Sequence, residues 1–242
     1  MAPLDGDSLD EAGLGLLAEV MALKLGVGDV VALIGDLGAG KTTFARALIR
    51  GLLGDSGAEV PSPTFSLAQV YEAPRLRVNH FDLYRLSDAG EAEEIGLEEA
   101  FGPGAALIEW PERAMGLLPA DRFEVILDAD PAPERRRVTL RGLGMCGARA
   151  ERMVRVFTFL AGCNDAHGLQ VVHLQGDAST RAYARLTGSG RSLIFMDAPR
   201  QPDGPPVRGG LPYSRIAHLA EDVWPFVRID EALLAAGLSA PR

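Results

Sequence analysis

A glycine-rich loop, flanked by an apolar run and an amphipathic segment, constrains the fold of this chain more than any other feature. Residues 35–42 read Gly-Asp-Leu-Gly-Ala-Gly-Lys-Thr and fit the pattern G-x-x-x-x-G-K-[ST]. The preceding Val30–Ile34 is short and apolar, which predicts a buried strand. Residues 42–53 predict a helix that ends before Gly54. A strand, a glycine loop and a helix in this order indicate a nucleotide-phosphate loop.

The residue types in this loop suit a polyphosphate better than an ordinary glycine-rich turn. Glycines let the backbone N–H groups point inward, and the following helix adds the positive end of its dipole. Lys41 can supply a positive charge to the β- and γ-phosphates, and the Thr42 hydroxyl can bind Mg²⁺. The predicted nucleotide-binding residues are Gly35, Asp36, Gly38, Ala39, Gly40, Lys41, Thr42, Thr43 and Trp110.

The scarcity of lysine narrows the choice of nucleotide. Lysine occurs only at positions 24 and 41. A guanine-specific GTPase would need an Asn-Lys-x-Asp motif to read the base, and neither lysine lies in one. The sequence therefore favours ATP.

Charge is unevenly distributed along the 242 residues. Residues 1–140 hold twice as many acidic as basic residues, whereas residues 141–242 have a small basic excess. This contrast suggests two units with different surfaces. Because contacts with phosphates need a cationic surface, the acidic unit is not expected to bind DNA, and any role on tRNA would run through a partner.

Cysteine content and hydropathy predict a cytoplasmic protein. Cys146 and Cys163 form neither a metal-binding pattern nor a disulfide framework. The acidic N-terminus does not resemble a signal peptide. No uncharged apolar run approaches the roughly 20 residues that cross a bilayer, so no membrane association is expected.

Hydrolysis needs groups beyond the phosphate loop, because Mg²⁺ needs further oxygen ligands and the attacking water needs orientation. Glu109 ends an apolar strand predicted at Ala105–Glu109, where a metal-side acid is expected. Asp82 lies in a strand with polar groups at alternate positions, and Thr64 follows a stiff Pro-Ser-Pro segment. Lys41, Asp82, Glu109 and Thr64 are the predicted catalytic residues, and Thr42, Glu109 and Asp82 are the predicted metal ligands.

Each candidate also has a structural alternative. Glu109 could be a solvated strand end, and Asp82 could pair with a nearby arginine or cap a turn. Thr64 could simply open a strand. Trp110 could pack against the nucleotide or fill the core. His80 is expected to be a packing or hydrogen-bonding histidine rather than a base.

The order of elements predicts an α/β fold, a P-loop NTPase three-layer sandwich with a mixed sheet. Residues 1–141 are expected to form this domain, and residues 142–152 are expected to be a linker. Residues 153–242 are expected to form a small α+β unit.

Four motifs in the first unit resemble the TsaE family. They are GDLGAGKTT at residues 35–43, PSPTF at 61–65, HFDLYR at 80–85 and IEWPE at 108–112. The resemblance implies a P-loop fold, Mg²⁺–ATP binding, slow ATP hydrolysis and a role in making threonylcarbamoyladenosine at position 37 of tRNA. It also implies docking on the TsaB–TsaD proteins, with tRNA reached only through them.

The same resemblance implies roles for individual residues. Lys41, Thr42 and Thr43 would hold phosphates and metal. Glu109 would be a Mg²⁺ ligand and Asp82 a catalytic or metal-linked acid. Thr64 would be a switch-like residue, and Trp110 would lie beside the nucleotide.

Residues 175–186 and 193–199 resemble the N-terminal lobe of aminoglycoside-phosphotransferase-like kinases, above all the cell-wall amino-sugar 1-kinases. The lysine expected on the third strand of that lobe is absent, and no H-x-D catalytic loop follows residue 150. We therefore expect an incomplete lobe without kinase activity.

The leading hypothesis is an ATPase of tRNA modification in which ATP orders the Thr64 loop and hydrolysis releases it. A small-molecule (sugar) kinase that uses the phosphate loop is one alternative. A nucleotide-gated binding module with negligible turnover is another.

Overall fold

A computed structural model of the chain describes residues 4–174, 181–199, 204–216 and 223–240. Two compact units are present, one formed by Met1–His173 and Ala184–Ile194 and the other by Leu174–Tyr183 and Phe195–Arg242. The first unit contains the phosphate loop. The strands are β1 (Asp5–Asp10), β2 (Val30–Ile34), β3 (Ala68–Glu72), β4 (Arg77–Asp82), β5 (Ala105–Glu109), β6 (Arg122–Ala129), β7 (Arg135–Leu143), β8 (Gln170–Leu174), β9 (Ala182–Gly188), β10 (Arg191–Asp197), β11 (Pro206–Arg208) and β12 (Leu211–Pro212). The helices are α1 (Glu11–Lys24), α2 (Lys41–Leu53), α3 (Ala89–Glu94), α4 (Gly147–Gly162), α5 (Tyr213–Ile216) and α6 (Trp224–Ala235).

The first unit is built on a mixed seven-stranded sheet of order β1-β7-β6-β2-β5-β4-β3. Its centre is parallel, because β2 pairs with both β5 and β6, and β4 pairs with β5 in the same direction. The strands at both edges are antiparallel. The α/β fold with a mixed sheet that the sequence predicts is confirmed.

The central strands are apolar on both faces because helices cover the sheet. Every residue of β5 is buried, as are four of the five residues of β2, as expected for parallel strands between helical layers. Helix α2 buries one face and ends at Gly54, whose left-handed φ of 68° closes it. Helix α1 packs against α2 and α4, which explains why it is apolar over most of its surface.

The segment near residue 64, where a strand was expected, and the segment at residues 142–152, where a linker was expected, have other secondary structure. Residues 64–66 form a turn, and β3 begins only at Ala68, so the prediction that a strand opens at Thr64 is wrong. The proline-flanked segment bends the chain before the strand can pair. Residues 142–152 form the end of β7, a short 3-10 helix and the start of α4. Helix α4 packs on α1 and β7.

Beyond α4, a three-stranded sheet has the order β10-β9-β8. In the second unit, Gly209 and Gly210, both with positive φ, form the two-residue turn between β11 and β12. Residues 175–180 of the loop predicted at 175–181 and the middle of the helix predicted at 215–227 lie outside the described residues. In the described ranges, no helix combines the length and apolar character that a membrane span requires.

Candidate functional site

The phosphate loop joins the buried strand β2 to helix α2, as the sequence predicts. Gly35 leaves the strand with a φ of 152°, and a Cβ atom there would lie 2.4 Å from the carbonyl oxygen of Leu127. Gly40 has a φ of 103° directly before the first residue of α2. Only glycine adopts such positive φ angles without strain. The loop can therefore turn its N–H groups toward one point at the helix N-terminus.

Lys41 lies across the mouth of this loop. Its Nζ atom donates hydrogen bonds to the carbonyl oxygens of Gly35 (2.6 Å) and Asp36 (2.9 Å). The same atom lies 3.5 Å from the ring centroid of Trp110. Burial lowers the pKa of Lys41, and the carboxylates around it, led by Glu109, oppose that shift. The ammonium therefore has protein partners that a phosphate would have to replace.

Arg136 supports the loop from outside. Its Nε atom donates to the carbonyl oxygen of Ala39 (3.1 Å), and its Nη1 atom donates to the carbonyl oxygen of Pro133 (2.8 Å). This contact holds the carbonyl of Ala39, a loop residue that does not line the cavity. Sequence reasoning did not single out Arg136, because it lies on β7, far from the motif in sequence.

Glu109 lies beside the loop because β2 and β5 are parallel neighbours, with Leu33 opposite Glu109. One carboxylate oxygen, Oε2, accepts a hydrogen bond from the Thr42 hydroxyl at 2.8 Å. The other, Oε1, lies 2.9 Å from His80 Nε2. Glu109 is only 2% exposed, so it is not a solvated strand end.

Asp82 stands opposite Glu109 in the register of β4 and β5. Its Oδ2 atom accepts hydrogen bonds from the hydroxyls of Thr64 (2.6 Å) and Ser62 (3.2 Å). Its Oδ1 atom accepts the backbone N–H of Tyr84 at 3.0 Å. The carboxylate therefore anchors the turn before β3. Sequence reasoning did not include Ser62, although its place two residues before Thr64 could have indicated it.

Trp110 has a left-handed backbone, with a φ of 59° and a ψ of 50°. This conformation is costly for a bulky residue and occurs mainly where the surroundings enforce it. It turns the indole over Lys41 and brings its ring centroid 4.8 Å from that of Tyr84. The ring thus lies beside the phosphate loop, although it also contacts the hydrophobic cluster around β5.

A cavity of about 350 Å³ lies where these residues meet. Such a volume is at the lower end of the range for small-molecule sites. Gly35, Asp36 and Ala39 belong to the loop but do not line the cavity, whereas Leu37 and Tyr84 line it without having been predicted. The lining residues are Leu37, Gly38, Gly40, Lys41, Thr42, Thr43, Thr64, Asp82, Tyr84, Glu109 and Trp110.

The oxygen donors around the cavity include the Thr42 hydroxyl and the carboxylates of Glu109 and Asp82. In the part of the chain that is described, no three acidic, histidine or cysteine side chains form a self-sufficient metal site. Mg²⁺ is typically held by one or two carboxylates together with substrate phosphates. This donor set therefore fits a metal that arrives with a phosphate ligand.

The part of the chain that contains these residues matches a known protein family. Residues 9–138 match the family model described as "Threonylcarbamoyl adenosine biosynthesis protein TsaE". A Rickettsia conorii protein named "tRNA threonylcarbamoyladenosine biosynthesis protein TsaE" is 44% identical over 113 residues, which are 47% of this chain and 64% of that protein. A Streptomyces coelicolor protein of the same name is 41% identical over 143 residues, which are 56% of this chain and 94% of that protein.

A solved structure shows the same fold. The crystal structure of Bacillus subtilis YdiB superimposes with a TM-score of 0.50 at 27% sequence identity. The match covers 64% of this chain and 97% of that one.

Proposed function

Because this chain belongs to the TsaE family, we propose that it binds Mg²⁺–ATP and hydrolyses it in the biosynthesis of tRNA threonylcarbamoyladenosine. The observation that carries the proposal is the pair of buried carboxylates at the phosphate loop. Glu109 is bonded to Thr42, the residue after the loop lysine, and Asp82 is bonded to Thr64. All four side chains line one cavity together with Lys41.

In the proposed site, backbone N–H groups of residues 35–42 and the ammonium of Lys41 bind the phosphates. Residues Gly35, Asp36, Gly38, Ala39, Gly40, Lys41, Thr42 and Thr43 provide this cradle, and Trp110 covers it. Thr42, Glu109 and Asp82 would hold Mg²⁺, which neutralises charge that develops on the phosphates. Their donor types support this assignment.

Asp82 and Thr64 have the second proposed role, which is to orient the attacking water. Asp82 accepts a hydrogen bond from the attacking water and orients it in line with the γ-phosphate. Thr64 holds the carboxylate of Asp82 in place through the 2.6 Å hydrogen bond. Because Thr64 lies in a turn, loss of the γ-phosphate after hydrolysis can release this segment and report the nucleotide state to a partner.

We propose that the partners are the TsaB and TsaD proteins and that tRNA is reached only through them. The acidic excess of residues 1–140 supports this view, because direct contact with RNA phosphates would need a basic surface. The proposed reaction takes place where tRNA is modified, in the cytoplasm.

The C-terminal residues have a separate assignment. We propose that residues 1–141 carry the nucleotide chemistry and that residues 153–242 are a kinase-like lobe that does not transfer phosphate. The absence of a lysine from residues 193–197, where such a lobe would pair with phosphates, supports this assignment.

Reconstitution tests the proposal. The full chain, Mg²⁺–ATP, TsaB, TsaD, unmodified tRNA and the threonylcarbamoyl donor are combined, and modified adenosine is measured over many turnovers. We expect sustained modification with the wild type and none with Lys41→Ala. A matched control is Lys24→Ala, which removes the other lysine of the chain and should leave modification unchanged. Equal modification with and without the chain, or transfer of the γ-phosphate to a sugar, would contradict the proposal.

A further inference from the structure

His80 closes a buried chain of hydrogen bonds beneath the candidate site. Its Nε2 atom lies 2.9 Å from Oε1 of Glu109, whose Oε2 accepts the Thr42 hydroxyl at 2.8 Å. His80 is fully buried, with 0% of its surface exposed. The two hydrogen bonds to the Glu109 carboxylate, from His80 and from Thr42, therefore link strand β4 to the first turn of α2.

The register of the sheet places His80 within reach of Glu109. His80 pairs with Leu107 of β5, and Glu109 lies two residues further on, on the same face of the sheet. Such a diagonal neighbour can be reached only by a long or aromatic side chain. The imidazole spans this distance, whereas a serine or threonine hydroxyl at position 80 would fall short.

The hydrogen-bond partners define the tautomer of this histidine. An ionised carboxylate only accepts hydrogen bonds, so Nε2 carries the proton and donates it to Glu109. The Nδ1 atom of His80 is buried and has no hydrogen-bond partner among the described residues. A proton on Nδ1 would leave a buried donor unpaired, which is costly.

We propose that His80 is a positioning residue that fixes the carboxylate of Glu109 for Mg²⁺. The inference rests on the proposed function, since it assigns Glu109 to the metal. Hydrogen bonds from two sides, by His80 to Oε1 and by Thr42 to Oε2, restrict the rotation of the Glu109 carboxylate before the metal arrives. Residues that hydrogen-bond to a metal ligand, without touching the metal, commonly raise metal affinity by 10- to 100-fold. His80 has this relation to Glu109.

Two amide substitutions test the role of the Nε2–H group. In His80→Gln, the side-chain amide can present an N–H close to the position of Nε2, whereas in His80→Asn it lies close to the position of Nδ1. Mn²⁺ replaces Mg²⁺, and its affinity is measured by electron paramagnetic resonance with a non-hydrolysable ATP analogue at saturation. We expect His80→Asn to weaken Mn²⁺ binding by about 10- to 100-fold and His80→Gln to retain most of the affinity.

Binding of the ATP analogue in the presence of EDTA serves as the control, and it should be equal in all three proteins. Equal Mn²⁺ affinity of the Gln and Asn variants, whether high or low, would overturn the positioning role. A stronger effect in the Gln variant than in the Asn variant would overturn it as well.

A measurement on the wild type does not depend on how the variants fold. Nitrogen-15 NMR of the imidazoles in the metal-free full chain should show a proton on Nε2 of His80, with the signal identified by its loss in His80→Gln or by sequential assignment. A His80 Nε2 without a proton would overturn the inference. If the wild type bound neither ATP nor Mn²⁺ while Nε2 carried its proton, the proposed function would fail and the Glu109–His80 bond would stand.

Discussion

The hydroxyl of Thr64 donates a 2.6 Å hydrogen bond to Oδ2 of Asp82, which ties the turn before β3 to the end of β4. Asp82 is 4% exposed and lines the same cavity as Lys41. The bond therefore joins this turn to a carboxylate that the sheet holds in place. This arrangement would make the position of the turn depend on the contents of the cavity.

Loss of the Thr64 hydroxyl should slow hydrolysis. Thr64→Val keeps the shape of the side chain but removes the donor to Asp82. A hydrogen bond to a charged group contributes about 1.5–3 kcal/mol, so we expect turnover of ATP to fall by about 10- to 100-fold with little change in KM. Thr64→Ser is the matched control and should retain most of the activity. Equal turnover of the Val and Ser variants would refute the role of this bond.

Trp110 should report nucleotide binding through its fluorescence. Lys41 Nζ lies 3.5 Å from the centroid of its ring, and phosphates would draw the ammonium toward them. The chain contains two tryptophans, so Trp224→Phe leaves Trp110 as the only tryptophan. We expect the emission of this variant to change on addition of Mg²⁺–ATP. No change at concentrations where calorimetry detects binding would contradict this placement of Lys41 and Trp110.

Glu19 should make stability depend on pH. Burial raises the pKa of Glu19 from 4.5 to about 7, although the Val171 N–H group, which donates to its carboxylate at 2.9 Å, acts in the opposite direction. The folded state therefore binds more protons than the unfolded state between about pH 4.5 and pH 7, and the contribution of Glu19 to stability is lost as the pH rises through this window.

The substitution Glu19→Gln removes this titration and keeps an oxygen that can accept from Val171. In urea unfolding, the variant should gain stability relative to the wild type between pH 5 and pH 8. The exposed Glu11 lies on the same helix, and Glu11→Gln serves as the control without such a gain. A difference between wild type and Glu19→Gln that is constant with pH would count against the raised pKa.

Arg149 should hold helix α4 against the rest of the first unit. Its guanidinium donates to both carboxylate oxygens of Asp29 at 2.6 Å, and Asp29 is 7% exposed. Arg149→Met would remove the guanidinium that donates to both oxygens of this buried carboxylate, and we expect the free energy of unfolding to fall by about 2 kcal/mol, a value limited by the partial exposure of Arg149. Arg155→Met, which alters an exposed ion pair on the same helix, should change stability by less than about 1 kcal/mol. Similar losses in both variants would contradict the special role of Arg149.

Short sequence patterns were enough to predict much of the fold and the residues at the centre of the site. The phosphate loop, β2, α2 and β5 were predictable because glycine positions and apolar runs act over short stretches of chain. Glu109 was placed at a strand end for the same reason, and its burial excludes the alternative of a solvated strand end. The predicted catalytic and metal-binding roles remain predictions until hydrolysis is measured.

Other features depend on which strands become neighbours, which local patterns do not reveal. His80 reaches Glu109 only through the register of β4 and β5, and Arg136 reaches the loop only because β7 lies beyond β6 in the sheet. The strand predicted to open at Thr64 fails because the Thr64 side chain bonds to Asp82 within a turn. Residues 147–162 form one helix on α1 and β7, although its first turns look like a glycine-rich connection in the sequence.

Release of inorganic phosphate from Mg²⁺–ATP by the purified full chain, without an added acceptor, is the decisive measurement of the proposed ATPase activity. Wild type, Lys41→Ala and Glu109→Gln are compared, and calorimetry records nucleotide binding by each protein. We expect slow hydrolysis by the wild type, loss of binding in Lys41→Ala, and retained ATP binding with strongly reduced hydrolysis in Glu109→Gln. Equal phosphate release by all three proteins would contradict the proposed activity.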